Sequence, residues 1–159
     1  MKPLMLLEAV IRPTCAILGD KFQGKRAEVL MLAIAFQESG INHRRQIGGP
    51  AVGYWQFEKA GGVAGVLRHP QSANYVHALC EALDYVYEET DFYEVLAHNA
   101  FLAAGFARLL LYTDSTPLPE IGSISKAWNY YLRNWRPGKP HPETWPDNYI
   151  KAVTAVECK

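Results

Sequence analysis

The feature of the sequence that most constrains its fold is the apolar run VLMLAIAF at residues 29–36. The run is apolar on every side of a helix, and such a helix must be buried all round at the centre of a domain. We predict that this helix begins after Gly24 and runs to about Glu38, with Gly40 placed to end it. A chain of 159 residues can bury roughly two-thirds of its unfolded surface. We therefore predict one domain, residues 1–159, built around this helix.

Apolar residues recur at three- and four-residue spacing along most of the remaining chain, which predicts further helices. Only residues 42–57 lack this pattern, and their glycines and the alternation AVGYWQF suit a loop or a small hairpin. The predicted fold class is mainly α, with a small irregular or β insertion after the central helix. The other predicted helices are residues 4–18; residues 72–88, with Ser72 as N-cap and the stripe Val76, Leu79, Leu83 and Val86; a helix from Asp91 through Leu109; residues 124–135; and a last helix from Pro146 with Tyr149, Ile150, Val153 and Val156 inward.

Two residues are unusual inside the helix predicted from Asp91 onward. Asn99 falls on its inward row, where an amide must find hydrogen-bond partners. Gly105 indicates that another backbone packs close to this helix.

Composition excludes several classes of partner. Sixteen basic residues balance sixteen acidic ones, so no long-range field would hold the chain on nucleic acid or an anionic membrane. Cys15, Cys80 and Cys158 are odd in number and widely spaced, which disfavours a disulfide framework and a zinc site. The N-terminal apolar stretch is broken by Pro3 and ended by Glu8, too short for a signal peptide. We expect a monomer made in the cytoplasm, with no membrane insertion and no metal or organic cofactor.

Glu38 is the strongest candidate for chemistry. It lies in the last turn of the predicted central helix, where the helix dipole disfavours negative charge. Partial burial against aromatic residues would also favour the protonated form, and together these effects keep a glutamate available as a general acid near neutral pH. On position alone, the alternative is that Glu38 is an ordinary exposed residue at a helix end.

Two aromatic segments are candidates for the walls of a cleft. In GYWQF, Gly53 allows close backbone approach, and aromatic rings flank Gln56, the combination that a carbohydrate cleft uses. A small apolar hairpin packed on the core explains the same residues equally well. In SISKAWNYYLRNW, Trp128 and Tyr131 lie on the buried stripe, where core packing is the default, whereas Asn129 lies at its flank and can reach a cleft.

In this order, the features resemble the soluble lytic transglycosylase and goose-type lysozyme group of the lysozyme-like superfamily. That group shows Glu-Ser at the end of a buried helix, Gly-x-x-Gln, an Asn and a Gly ahead of a leucine-rich run, Ala-Tyr-Asn, and Pro-x-Glu-Thr leading into Tyr-x-x-x-Val. The matching motifs run from about Val29 to Val153: Glu38-Ser39; Gly53-Tyr54-Trp55-Gln56; Asn99 and Gly105 in HNAFLAAGFARLLL; Ala127-Trp128-Asn129; and Glu143, Thr144, Tyr149 and Val153 in HPETWPDNYIKAV.

The resemblance implies a lysozyme-like domain that cleaves the MurNAc–GlcNAc bond of peptidoglycan glycan strands. By that resemblance Glu38 is acid and then base, Ser39 orients it, and three residues hold the sugar: Gly53, Tyr54 and Gln56. Asn129 with Tyr130 or Tyr131 forms the opposite wall. The chain departs from the family pattern there, because Trp128 stands where Tyr is usual, no Gly follows Asn129, and Pro142 directly precedes Glu143.

The number of available carboxylates separates two reactions. Glycoside hydrolases use a pair of carboxyl groups, but no Asp or Glu occurs between Glu38 and Glu58, a region that holds His43, Arg44 and Arg45 instead. This favours a lytic transglycosylase, in which Glu38 alone serves both steps and the product is 1,6-anhydro-MurNAc. Glu58 is the best second acid if the enzyme hydrolyses with water.

Three alternatives remain open from the sequence. A hydrolytic muramidase and a chitinase-like glycosidase would use the same fold, and a non-catalytic glycan-binding or virion structural protein is more distant. By analogy, the expected setting is a bacteriophage lysin, released by a separate membrane-permeabilising protein or carried in the virion.

Overall fold

The computed structural model describes residues 1–158 and is mainly helical, as predicted. Short single turns of helix also occur at Asp20–Phe22, Lys59–Val63 and Tyr87–Glu89. Within residues 1–158, no single helix is both long and apolar enough to cross a membrane, and α6 and α7 reach that criterion only together, as a pair bent by 117°. The helices are α1 (Pro3–Leu6), continuing through a π-helical turn (Leu7–Ile11) into α2 (Arg12–Leu18); α3 (Lys25–Ser39); α4 (Ala64–Arg68); α5 (Ala73–Ala82); α6 (Phe92–His98); α7 (Ala100–Tyr112); α8 (Ile124–Trp135); and α9 (Trp145–Glu157).

Helix α3 is the central helix that the apolar run predicts. Every residue from Val29 to Ala35 is buried, and α9 packs along the length of α3. Gly40 ends the helix in the left-handed conformation, with φ of 60°, and its N–H donates to the carbonyl of Phe36 at 3.0 Å. Within residues 1–158, one hydrophobic core takes side chains from each of the helices α1 to α9. The residues of α3 that are not buried lie near its two ends.

The insertion after α3 is irregular. Two isolated antiparallel bridges, Arg45 with Val52 and Val52 with Phe57, replace the strands of a regular hairpin. Ser39 ties this segment to α3, because its hydroxyl donates to the carbonyl of Tyr54 at 2.7 Å and accepts from the N–H of Ile41 at 3.2 Å. The position of the insertion is therefore fixed by the end of the central helix.

The helix predicted over residues 72–88 is shorter than expected. It ends at Ala82, since Asp84 adopts a left-handed φ of 60° and the N–H of Tyr85 turns back to the carbonyl of Cys80 at 2.9 Å. Val86 is consequently 56% exposed and does not extend the buried stripe. Ser72 precedes the helix but does not cap it, because its hydroxyl donates to the carbonyl of Val66.

The helix predicted from Asp91 through Leu109 is two helices, α6 and α7, that meet at Asn99 with a bend of 117°. Asp91 caps α6 as predicted, accepting from the N–H of Glu94. Asn99 caps α7, since its side-chain oxygen accepts from the backbone N–H groups of Phe101 and Leu102 at 2.9 and 3.1 Å. The hydrogen-bond partners of the Asn99 side chain are thus N–H groups at the start of α7, which the sequence pattern does not reveal.

Gly105 does make a close contact, but with a side chain and not with the backbone that the sequence indicates. A Cβ atom at this position would lie 2.4 Å from Cδ1 of Leu79 on α5. In the last helix, Tyr149 and Val156 face inward as predicted and Val153 is half-buried, whereas Ile150 is 54% exposed.

Replacing Asn99 by Ala should lower the free energy of unfolding by about 1 kcal/mol, because two N–H groups at the start of α7 lose their side-chain acceptor. Urea denaturation measures the change. The control is Asn129→Ala, at an exposed mid-helix position of α8 where Ala is the better helix former. Equal destabilisation by both variants would contradict the capping role.

Candidate functional site

A cavity of about 1110 Å³ lies beside the C-terminal end of α3. Five segments contribute to its lining: residues 37–38 at the end of α3, residues 46, 51 and 56–58 of the insertion, residues 60–69 around α4, residues 110 and 113 at the end of α7, and residues 131–141 at the end of α8 and in the loop that follows. The C-terminal end of the central helix therefore meets a concave surface, which is the usual setting of a binding site.

Glu38 forms part of the cavity wall and is half-buried in the last turn of α3. Its Oε1 accepts a hydrogen bond from the hydroxyl of Tyr131 at 2.5 Å. Burial raises the pKa of Glu38 from 4.5 to about 7; the hydrogen bond from Tyr131 opposes this rise, and the negative charge of Glu58 adds to it. A carboxylic acid that keeps its proton near pH 7 at a cavity wall can donate that proton to a bound molecule.

Tyr131 is fixed in place by the aromatic residues around it. Its ring stacks on that of Trp145 at the start of α9, with centroids 5.3 Å apart and an interplanar angle of 10°. Trp145 in turn donates from Nε1 to the carbonyl of Ile124 at 3.1 Å, which joins α9 to the start of α8. Of the two tyrosines that the sequence offers for the wall opposite Glu38, the structure brings Tyr131 to the site.

Tyr130 lies elsewhere. It is buried, its hydroxyl donates to the carbonyls of Leu111 and Thr116, and it borders a second cavity on the other side of α8. Adjacent residues of a helix point about 100° apart, so Tyr130 and Tyr131 cannot both face Glu38. Asn129 is exposed and does not line the cavity.

The segment GYWQF contributes less to the cavity than expected. Gln56 lines it, in a left-handed conformation with φ of 50°, and its side-chain amide donates to the carbonyl of Gly53 at 2.8 Å. Trp55 is fully buried and donates from Nε1 to the carbonyl of Met31 in α3 at 2.9 Å. The core-packing alternative therefore applies to most of this segment, and Gln56 with Phe57 is the part that reaches the cavity.

Three residues predicted to bind or orient at the site do not line the cavity. Tyr54 is 6% exposed, and its hydroxyl accepts from Nε of Arg44 at 3.1 Å. Gly53 has a φ of 75° and packs against α6, because a Cβ atom added to Gly53 would lie 2.9 Å from the carbonyl oxygen of Leu96. Ser39 bonds to backbone groups and not to the carboxyl of Glu38. These contacts hold the insertion in position, and the structure does not bring the three residues to the cavity wall.

Other residues of the cavity carry no motif that sequence reasoning used. Trp135 donates from Nε1 to the carbonyl of Trp55 at 2.9 Å and so joins the end of α8 to the insertion. Gln37 links three elements, because its side chain bonds to the carbonyl of His141, the hydroxyl of Thr144 and the amide of Asn148. The sequence feature that could have indicated these two residues is their position, because Gln37 precedes Glu38 and Trp135 precedes the loop RPGKP.

The cavity is rich in positive charge. Arg68, Arg136 and Lys139 line it, and none of them forms an ion pair with any residue in the described part of the chain. Glu58 is an exposed carboxylate of the same cavity, and its charge acts on Glu38. The site thus combines one carboxyl group with a pKa raised to about 7, one exposed glutamate and several cations that have no ion-pair partner in the described residues.

Comparison with family models, with curated proteins and with solved structures finds no match to this chain. Within residues 1–158, no group of three His, Cys, Asp or Glu side chains is arranged to hold a metal ion.

The raised pKa of Glu38 should make stability depend on pH. Between pH 4.5 and about 7 the folded protein keeps a proton on Glu38 that the unfolded chain has lost. The stabilising contribution of this proton to the free energy of unfolding is therefore fully present below pH 4.5 and is lost as pH rises through about 7. Glu38→Gln keeps an acceptor for Tyr131 and carries no charge. We expect it to stabilise the protein at pH 8 by about 3 kcal/mol, with little effect at pH 4.

Urea unfolding at the two pH values measures this difference. Glu81→Gln, at an exposed position of α5, is the matched control and should show no comparable dependence. If Glu38→Gln changed stability equally at pH 4 and pH 8, the carboxyl would titrate alike in the folded and unfolded states and could not be held protonated by burial.

Proposed function

We propose that this chain is a lysozyme-like enzyme that cleaves the glycan strand of peptidoglycan between MurNAc and GlcNAc, acting as a bacteriophage lysin. The observation that carries the proposal is the half-buried Glu38, hydrogen-bonded to Tyr131 and with a pKa raised to about 7, on the wall of a cavity large enough for several sugar rings. A general acid in such a setting is what glycosidic bond cleavage requires.

In the proposed reaction, Glu38 protonates the glycosidic oxygen as the bond to the anomeric carbon of MurNAc breaks. Positive charge develops at that carbon, and the N-acetyl group of the sugar or nearby negative charge stabilises it. The ionised Glu38 then accepts the proton of the sugar's own 6-hydroxyl, whose oxygen bonds to the anomeric carbon. The product is 1,6-anhydro-MurNAc, and one carboxyl group serves both steps.

Hydrolysis is the second candidate reaction, and the placement of Glu58 favours it. Glu58 lines the same cavity as Glu38 and is close enough for its charge to raise the pKa of Glu38. An exposed carboxylate opposite a protonated one can activate a water molecule, which would then replace the 6-hydroxyl as the nucleophile. The product in that case is a reducing MurNAc end.

Digestion of purified cell walls followed by mass spectrometry separates the two reactions. We expect anhydro-muropeptides from the protein, whereas reducing muropeptides would show hydrolysis with Glu58 as the second carboxylate. Glu38→Gln should lower the rate of wall clearing about 10²–10⁴-fold, because it removes the transferable proton.

The matched control for that loss is Glu81→Gln, which changes an exposed glutamate away from the cavity and should clear walls at the original rate. Clearing by Glu38→Gln at an unchanged rate would reject the catalytic role of Glu38. Binding to walls without any release of muropeptides would instead indicate a non-catalytic glycan-binding or virion protein.

The charges of the cavity favour peptidoglycan over chitin as substrate. Arg68, Arg136 and Lys139 have no ion-pair partner in residues 1–158, and a neutral polymer of N-acetylglucosamine offers them none. The peptide stems of peptidoglycan carry free carboxylates that cations beside the glycan can bind. A muramidase-type substrate therefore fits the site better than a chitinase-type one.

Replacing both Arg68 and Arg136 by Gln should raise KM for stem-bearing glycan about three- to tenfold, since two exposed charge interactions are lost. The same double variant should leave KM unchanged on peptidoglycan whose stem carboxylates have been converted to amides, because that substrate offers the two cations no anion. Lys126→Gln, an exposed change on α8 outside the cavity, is the control. Faster cleavage of chitin oligosaccharides than of peptidoglycan would overturn the choice of substrate.

A further inference from the structure

Trp135, the last residue of α8, lines the cavity beside Glu38 but takes no part in the proposed proton transfers. Among the described residues, the Phe, Tyr and Trp rings that line this cavity are those of Phe57, Tyr131 and Trp135. Phe57 and Tyr131 are each only 2% exposed, whereas Trp135 is half-buried. Of the three, Trp135 is therefore the ring that offers most of its surface to a molecule in the cavity.

The indole of Trp135 is held in a fixed orientation by its neighbours. Its Nε1 donates to the carbonyl of Trp55 at 2.9 Å, so its one polar atom is already bonded within the protein. The ring packs on Phe57, with centroids 5.8 Å apart and an interplanar angle of 36°, and on Tyr131, with centroids 6.3 Å apart and an angle of 34°. What remains exposed is apolar ring surface, and its fixed orientation reduces the entropy that binding costs.

The segment of residues 60–65 leaves space near this ring. Gly62 packs against Phe57, because a Cβ atom added to Gly62 would lie 2.5 Å from Cδ1 of the Phe57 ring, and Phe57 in turn contacts Trp135. Val63, the one large residue of the segment, is buried and does not line the cavity. The segment therefore adds only small side chains to the cavity wall, and they leave room for a ring-shaped ligand. The lining residues of the segment are Ala60, Gly61, Gly62, Ala64 and Gly65.

The position of Trp135 on α8 relates it to Glu38. Tyr131, which donates to Oε1 of Glu38 at 2.5 Å, precedes Trp135 by four residues. The two side chains therefore lie on the same face of α8, separated by one turn of about 5.4 Å. A ligand group that covers Trp135 is consequently a near neighbour of the group that Glu38 protonates. A pyranose ring suits this place, because its C–H groups form a flat apolar face while its hydroxyl groups remain free for the polar parts of the cavity.

We propose that Trp135 is the stacking surface for a pyranose ring of the glycan strand, in the sugar position next to the bond that Glu38 cleaves. This inference rests on the proposed function, because it assigns one sugar position within the same cavity. The C–H face of the sugar covers the exposed part of the indole, and its hydroxyl groups face the open cavity. Stacking fixes the strand along α8, so that the glycosidic oxygen stays within reach of the proton on Glu38. Trp135 binds substrate and transfers no proton.

Titration of the ¹⁵N-labelled Glu38→Gln protein with a soluble hexamer of N-acetylglucosamine tests the inference, because this variant should bind the hexamer without cleaving it. The chain has four tryptophans, and the indole N–H signal of Trp135 is identified as the one missing from Trp135→Phe. We expect a saturable shift of this signal. The shift should exceed that of Trp128, which is half-buried but lies outside the cavity. Saturable binding of the hexamer with no shift of the Trp135 signal would overturn the inference.

Two variants of Trp135, each made in the Glu38→Gln protein, separate sugar stacking from core packing. Trp135→Phe and Trp135→Leu both lose the hydrogen bond to the carbonyl of Trp55, but only Phe keeps a flat ring. By isothermal titration calorimetry, Trp135→Leu should weaken hexamer binding about tenfold and Trp135→Phe less than about threefold. The control Trp128→Phe keeps a ring against Tyr131 and should change binding less than about twofold. Equal weakening by Phe and Leu at position 135 would show that Trp135 acts through packing alone and would overturn the inference.

Activity distinguishes failure of this inference from failure of the proposed function. With Glu38 intact, Trp135→Leu should raise KM for peptidoglycan about tenfold and change kcat less than about threefold, because Glu38 and its donor Tyr131 are unaltered. An unchanged KM in Trp135→Leu would reject the role of Trp135 and leave glycan cleavage by Glu38 standing. Absence of both hexamer binding and wall clearing in the unaltered protein would reject the proposed function, and this inference with it. Should Trp135→Leu fail to fold, the shift of the Trp135 signal in Glu38→Gln decides.

Discussion

The burial of α3 on all sides is the constraint on which the rest of the structure depends. A helix that is apolar on every side must be enclosed by other elements, and α9, α7 and the π-helical turn Leu7–Ile11 pack against α3. Only the two ends of α3 reach open space. Each end meets a cavity, and Glu38 lies at the end where the larger of the two adjoins α3.

Two opposed effects act on Glu38, and burial is the larger. The hydrogen bond from Tyr131 stabilises the carboxylate and lowers the pKa, while loss of solvent raises it to about 7. A tyrosine suits this position because it is a neutral donor; its own pKa is raised further by burial and by Glu38, so it does not compete to lose a proton. An arginine or lysine at the same distance would hold Glu38 ionised and remove it as an acid.

The local sequence was sufficient to predict those features of the structure that depend on residues close together in the chain. The apolar run, Gly40 and the place of Glu38 in the last turn of α3 could be predicted because each depends on neighbours along the chain. The break between α6 and α7 at Asn99 could not be predicted, because it depends on the hydrogen bonds of the Asn99 side chain with N–H groups of α7 and with the hydroxyl of Tyr85. The aromatic residues of GYWQF were ambiguous, because core packing and sugar binding draw on the same side chains. Tyr131, and not Tyr130, reaches Glu38 because of the rotation of α8, which Trp145 fixes from α9.

The surroundings of Glu38 suit both halves of the proposed reaction. A glycan that fills the cavity displaces water from around Glu38, which raises the cost of ionisation and keeps the proton in place until the glycosidic oxygen takes it. Once ionised, the carboxylate retains the hydrogen bond from Tyr131, and it gains attraction from the unpaired cations of the cavity when the substrate excludes solvent. The charge of Glu58 opposes that ionised state and so favours return of the proton to Glu38. A single carboxyl group can therefore give up a proton and recover it without a second acid taking part, provided that Glu58 acts through its charge alone.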